Sequence, residues 1–231
     1  MYTPYGFYLD WTYILVIIGA VISLIASGLV KSTFNKYSKV ACSRRMTGAQ
    51  VADMMLRDAG INDVTVMQVS GNLTDHYSSK DRALRLSESV YGSTSVAAIG
   101  VAAHECGHAI QDKEGYGPLK LRTLSVPLAN IGSWISFPLI VIGLIFDWIG
   151  LARVGIIFFV FVVLFQLITL PVEFDASRRA MRILQDRGIL ADTELSGAGK
   201  VLRAAAMTYV AALISSVLQL LRLILLVRRR D

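Results

Sequence analysis

Val96 to Gln111 reads VAAIGVAAHECGHAIQ. An unbroken apolar run leads straight into His104-Glu105-Cys106-Gly107-His108, the HExxH pattern. On a helix, positions four apart are offset by only about 40°, so His104 and His108 point the same way, one turn apart. Two imidazole nitrogens at that separation hold one Zn2+, and Glu105 beside the first reaches a water on that metal. Glu105 is the expected general base, later handing the proton to a leaving amine. The chain has only three histidines, and two fall in this pattern. The lead-in Val96–Ala103 is entirely small or apolar, which predicts a buried helix. Two histidines and a glutamate there are costly unless something charged pairs with them. Cys106 faces away from the histidine pair and reads as a small buried residue.

Outward from this helix, composition sets the setting. Hydrophobic residues make up 54% of the chain, too many for an ordinary soluble domain. Four charge-free stretches account for it: Trp11–Val30, Leu124–Phe146, Val154–Val172 and Ala204–Leu221, the last continuing past Arg222 to Val227. Each is long enough for the bilayer core, which needs about 20 residues. The first lacks a basic lead and is too long for a signal-peptide core, so it reads as an uncleaved helix. The net charge of +6 lies in residues flanking these stretches, without an interleaved stacking surface. It therefore points to a lipid bilayer and excludes nucleic acid. Two cysteines make no disulfide framework, and no oligomeric state is assigned.

The expected fold is mainly α: a polytopic membrane protein with about four transmembrane helices and a small α+β zincin (HExxH) domain at the cytoplasmic membrane face. Lys31, Lys36, Lys39, Arg44 and Arg45 follow the first stretch and place that side in the cytoplasm, with the N-terminus outside. The second and third stretches, joined by residues 147–153, form a membrane hairpin whose open ends share the HExxH side. Lys113, Lys120 and Arg122 before it, and Arg178, Arg179 and Arg182 after it, fit the cytoplasm. The chain then divides into a transmembrane helix (1–30), a first zincin part (31–123), the hairpin (124–172), a second zincin part (173–203) and a C-terminal transmembrane or interfacial helix (204–231). If that last helix spans, Arg228, Arg229 and Arg230 run against the positive-inside trend.

Within the first zincin part, Thr47 caps a helix that Gly60 ends. Asp63–Ser70 reads as a strand, and Ser78 and Ser79 as a turn. Arg82–Tyr91 reads as a second strand, with Leu84 and Leu86 inward and Ala83 and Arg85 outward. It is the candidate edge for pairing with an extended substrate. Ser93 or Ser95 caps the motif helix.

Two histidines do not close a catalytic zinc site, which takes three protein ligands plus water. The hairpin returns to the same side at Pro171-Val172-Glu173-Phe174-Asp175-Ala176-Ser177. Glu173, the first carboxylate there, is the expected third ligand, on a new or kinked helical segment opened by Pro171. Asp175 and Ser177 are candidates to orient a ligand histidine. His76 is the rival third ligand, or else donates to the oxyanion of the tetrahedral intermediate as a catalytic residue.

The run Leu73-Thr74-Asp75-His76-Tyr77, then Leu84-Arg85-Leu86-Ser87, Val90-Tyr91, Val101 to Gln111 and Glu173 to Ala180 resembles the bacterial YugP-type membrane zinc metallopeptidase family over nearly the whole chain. More remotely it is similar to HtpX-type and CAAX prenyl protease gluzincins, which place a membrane hairpin between HExxH and a glutamate ligand. The resemblance implies that His104, His108 and Glu173 bind zinc and that Glu105 is the base. Ser177 stands where the remote relatives carry aspartate, and Cys106 where a larger apolar residue is common.

The expected function is a zinc-dependent membrane-bound endopeptidase of the inner (plasma) membrane, its active site facing the cytoplasm. Its substrates are peptides or proteins in or at the membrane. An intramembrane site-2-type protease is disfavoured, because the apolar lead-in is followed at once by Asp112, Lys113 and Glu114 and is too short to span. The alternative is a non-catalytic, zinc-stabilised membrane scaffold or adaptor, which would close the site with His76 as fourth ligand.

Overall fold

The apolar stretches form four helices: α1 (Tyr13–Tyr37), α5 (Gly117–Ile145), α6 (Ile149–Asp186) and α7 (Asp192–Arg228). The computed structural model describes residues 10–229; the expected outer N-terminal segment before residue 10, and Arg230, lie outside these. Each of the four helices is long and apolar enough to cross a membrane. At 25, 29, 38 and 37 residues they exceed the length the hydrocarbon core requires. All overrun their apolar stretches, because a nucleated helix gains a hydrogen bond with each residue added. The new segment expected at Pro171 is not seen: α6 runs unbroken through it. A proline removes one ladder bond, and the remaining bonds hold the helix on both sides.

The chain divides into two compact units. Among the described residues the first comprises 10–25, Ser125–Leu167 and 210–229. Small residues let its helices approach closely. A Cβ on Gly143 would stand 2.5 Å from the Ala152 nitrogen, and one on Gly132 2.6 Å from the Phe158 carbonyl oxygen. Ser23 and Ser215 share a 2.9 Å hydroxyl contact. The outward side chains are large and apolar, with Trp134 82% and Phe146 75% exposed. Such a surface suits lipid rather than water.

The second unit comprises Ala26–Leu124 and Ile168–Tyr209. Its centre is α4 (Val96–Lys113), capped by Ser95, whose Oγ accepts from the Ala98 amide. Around it pack α2 (Gly48–Asp58) and α3 (Glu88–Tyr91). Thr47 and Gln50 form a reciprocal capping box on α2, and Gly60, at φ +64°, turns the chain after it. The core joins Met55, Leu56, Leu84, Leu86, Ile99 and Leu184, among others.

A three-stranded sheet lies in this unit: β1 (Thr65–Val69), β2 (His76–Ser78) and β3 (Ala83–Ser87), in the order β1-β3-β2. β3 pairs parallel with β1 and antiparallel with β2. Two expectations are corrected here. The segment read as strand from Arg82 to Tyr91 splits into β3 and α3, and it is central rather than an edge. Its pattern reflects this: Ala83, Leu84, Leu86 and Ser87 are all buried and only Arg85 is partly exposed, so strict alternation fails on a strand flanked on both sides. The edge next to α4 is β2, a three-residue strand too short to announce itself by periodicity.

Candidate metal centre

α4 carries His104 and His108 one turn apart, their ring centroids 4.7 Å from each other and the rings nearly perpendicular. α6 brings Glu173 to them. Gly107 permits the approach: a Cβ there would lie 2.5 Å from the Ala176 carbonyl oxygen, so only glycine lets α6 pass this close to α4. Glu173 Oε2 lies 3.2 Å from His104 Nε2 and 3.7 Å from His108 Nε2. One ligand atom from each of the three residues falls within 4.8 Å of the others. Glu173 is 2% exposed. Its other oxygen, Oε1, faces Arg122 Nη1 at 3.5 Å, and Tyr209 lines the same cavity as this carboxylate.

The outer contacts fix how the imidazoles present themselves. Gln111 Nε2 donates to the Val172 carbonyl and to Asp175, both at 2.9 Å. Its Oε1 therefore faces His108 Nδ1, at 3.0 Å, as acceptor. His108 is thereby protonated at Nδ1, and its Nε2 lone pair points at Glu173. Ser177 Oγ makes the corresponding contact, 3.1 Å, with His104 Nδ1. Burial works against a charged His108, yet its contacts with Glu173 and the charge of Glu105 outweigh this and raise its pKa. A lone pair and a carboxylate brought together in a buried place are compatible when a cation lies between them. Two imidazoles and one carboxylate are the donor set of catalytic zinc sites, so these residues fit zinc.

Glu105, also buried, is not in the ligand group. Its Oε2 accepts from the Tyr77 amide of β2 at 3.0 Å. It lines one cavity of about 250 Å³ together with His104, Glu173 and Ser177. The Tyr77 hydroxyl donates to Asp112 (2.8 Å), and Arg82 ties both of them to Asp63, so β2 is braced against two turns of α4. Cys106 is fully buried on the far side, with its thiol pKa pushed up by burial and its Sγ donating to the Ala52 carbonyl.

His76 is placed elsewhere. Its ring is exposed, with Nδ1 2.8 Å from the Thr74 carbonyl and Nε2 3.4 Å from Arg85. It is in neither the three-residue ligand group nor the cavity lining. Asp175 reaches His108 only through Gln111, while Ser177 meets His104 directly. The sequence offered no place at the site for Gln111 or Tyr209, and Arg122 served there only as a marker of membrane orientation. Gln111 had a local signal, standing one turn beyond His108; Tyr209 had none, lying inside the fourth apolar stretch.

A helical scaffold that brings a glutamate from α6 to the two histidines of an HExxH helix defines a class: zinc-binding proteins built like metallopeptidases. The chain belongs to the family described as "Putative neutral zinc metallopeptidase", whose model matches residues 12–228, and zinc is the cofactor this family implies. The chain is similar to "Putative membrane protease YugP" of Bacillus subtilis (strain 168), 48% identical over 197 residues that cover 85% of this chain and 88% of that protein. No solved structure matches.

Proposed function

We propose that this protein is a membrane-bound zinc endopeptidase of gluzincin type. Its site is carried on a small zincin-like domain at the cytoplasmic face, and it acts on membrane or membrane-associated proteins. The carrying observation is the convergence of His104, His108 and Glu173, with His104 and Glu173 lining one cavity together with Glu105. His104, His108 and Glu173 would hold the metal. Zinc, when bound, polarises a peptide carbonyl and lowers the pKa of water.

The chain's own groups supply the rest. The Tyr77 amide holds Glu105 Oε2, leaving Oε1 to accept a proton from the attacking water and to return it to the departing amine. Gln111 and Ser177 keep the imidazoles oriented. β2, now the edge beside Glu105, is where an extended substrate strand would pair. The orientation rests on the basic residues that flank the HExxH side. His76 keeps no role in this reading, and without it the scaffold alternative lacks its expected fourth ligand.

The test is Glu105→Gln in detergent-purified protein: zinc stays bound and proteolysis is abolished. Full proteolysis by this variant would sink the reading. Beside it, Glu173→Ala loses zinc and His76→Ala keeps it; the reverse result would overturn the ligand assignment.

A further inference from the structure

The cavity that holds the catalytic group has an apolar part that the chemistry above does not use. Val30 from α1, Val101 from α4, and Leu202, Ala205 and Ala206 from α7 line it. On α7, residues 202, 205, 206 and 209 follow the i, i+3, i+4, i+7 spacing of one helix face. That face turns three apolar side chains and the Tyr209 hydroxyl towards the space beside Glu173. The two smallest of these side chains, Ala205 and Ala206, leave the room open.

Three of the polar side chains lining the cavity outside the ligand group and Glu105 are already paired. Asp75 accepts from the Ser87 amide at 2.7 Å and from its hydroxyl. Thr208 Oγ1 donates to the Ala205 carbonyl at 2.6 Å. Ser177 meets His104. A polar or charged side chain entering here would lose water and have to share groups already bonded to their own neighbours, whereas an apolar one loses nothing.

We propose that this part of the cavity receives an apolar side chain of the substrate next to the bond being cleaved, with Ala205 setting the size accepted. The inference rests on the peptidase reading above and names its substrate class: segments carrying a leucine-sized apolar residue at the cleavage site. It also gives α7, the fourth apolar helix, a share in specificity.

The probes are glycine, L-leucine and L-lysine hydroxamates, whose metal-binding group is the same and whose side chains differ. Titration calorimetry on the zinc-loaded, full-length protein in detergent measures their affinities for wild type, Ala205→Leu and Ala205→Phe. In wild type, leucine hydroxamate binds roughly tenfold or more tighter than the other two. That preference shrinks in Ala205→Leu and vanishes in Ala205→Phe, while glycine hydroxamate affinity and zinc content hold. The milder variant keeps the series readable where the larger one fails to fold. Equal wild-type affinities for the three probes, or a leucine preference unchanged by both substitutions, overturns the proposal. A leucine preference in a protein that cleaves no peptide supports the pocket and removes the peptidase reading. Peptide cleavage without the preference removes the pocket alone.

Discussion

Gly107 lies against the backbone of Ala176, so close that an added Cβ would stand 2.5 Å from the carbonyl oxygen. This contact sets how near Glu173, one turn earlier on α6, comes to the two histidines of α4. Gly107→Ala is expected to push α6 outward. The cost is about 1–3 kcal/mol of overpacking, and zinc affinity falls with it. Thermal melting and zinc content of the purified variant check this; an unchanged zinc affinity would show that α6 tolerates displacement.

Gln111 holds His108 in the tautomer whose Nε2 is free. Loss of such an outer partner typically costs 10–100-fold in metal affinity. Gln111→Ala is therefore expected to weaken zinc binding by about that factor while leaving the secondary structure intact. Competition with a chelator of known affinity, followed by circular dichroism, separates the two effects.

Asp63 takes two hydrogen bonds from Arg82, at 2.9 and 2.8 Å. These hold its carboxyl below the usual aspartate range. A lowered pKa in the folded state contributes stability above the unfolded pKa, and that contribution is lost as pH falls through the folded one. Wild type is therefore expected to melt above Asp63→Asn at neutral pH. The gap closes below about pH 4, which a series of melting curves measures. A gap that persists in acid would assign the stabilisation to something other than the ionised carboxylate.

Arg82 also binds Asp112 and the Tyr77 hydroxyl. Arg82→Ala is expected to loosen β2 from α4 and so free the Tyr77 amide from Glu105. The expected readout is faster amide hydrogen exchange at Tyr77 with zinc content retained. Unchanged exchange there would mean that the β2–β3 pairing alone holds the strand.

Much of this protein was legible without coordinates because the signals are local. A one-turn histidine pair, a serine cap before an apolar run and four uncharged stretches each depend on residues close together in sequence. Glu173 was reachable for a related reason: a membrane hairpin returns the chain to the side it left, so the first carboxylate after it lies near the HExxH helix. Tertiary structure alone decided which strand is the edge, because strand order depends on pairing across a crossover and not on any one segment's pattern. It alone carried α6 through Pro171, turned His76 towards Thr74 and Arg85, and brought Gln111, Arg122 and Tyr209 around His104, His108 and Glu173. Those contacts join residues up to 64 positions apart, and their geometry is set by how closely helices pack at positions such as Gly107.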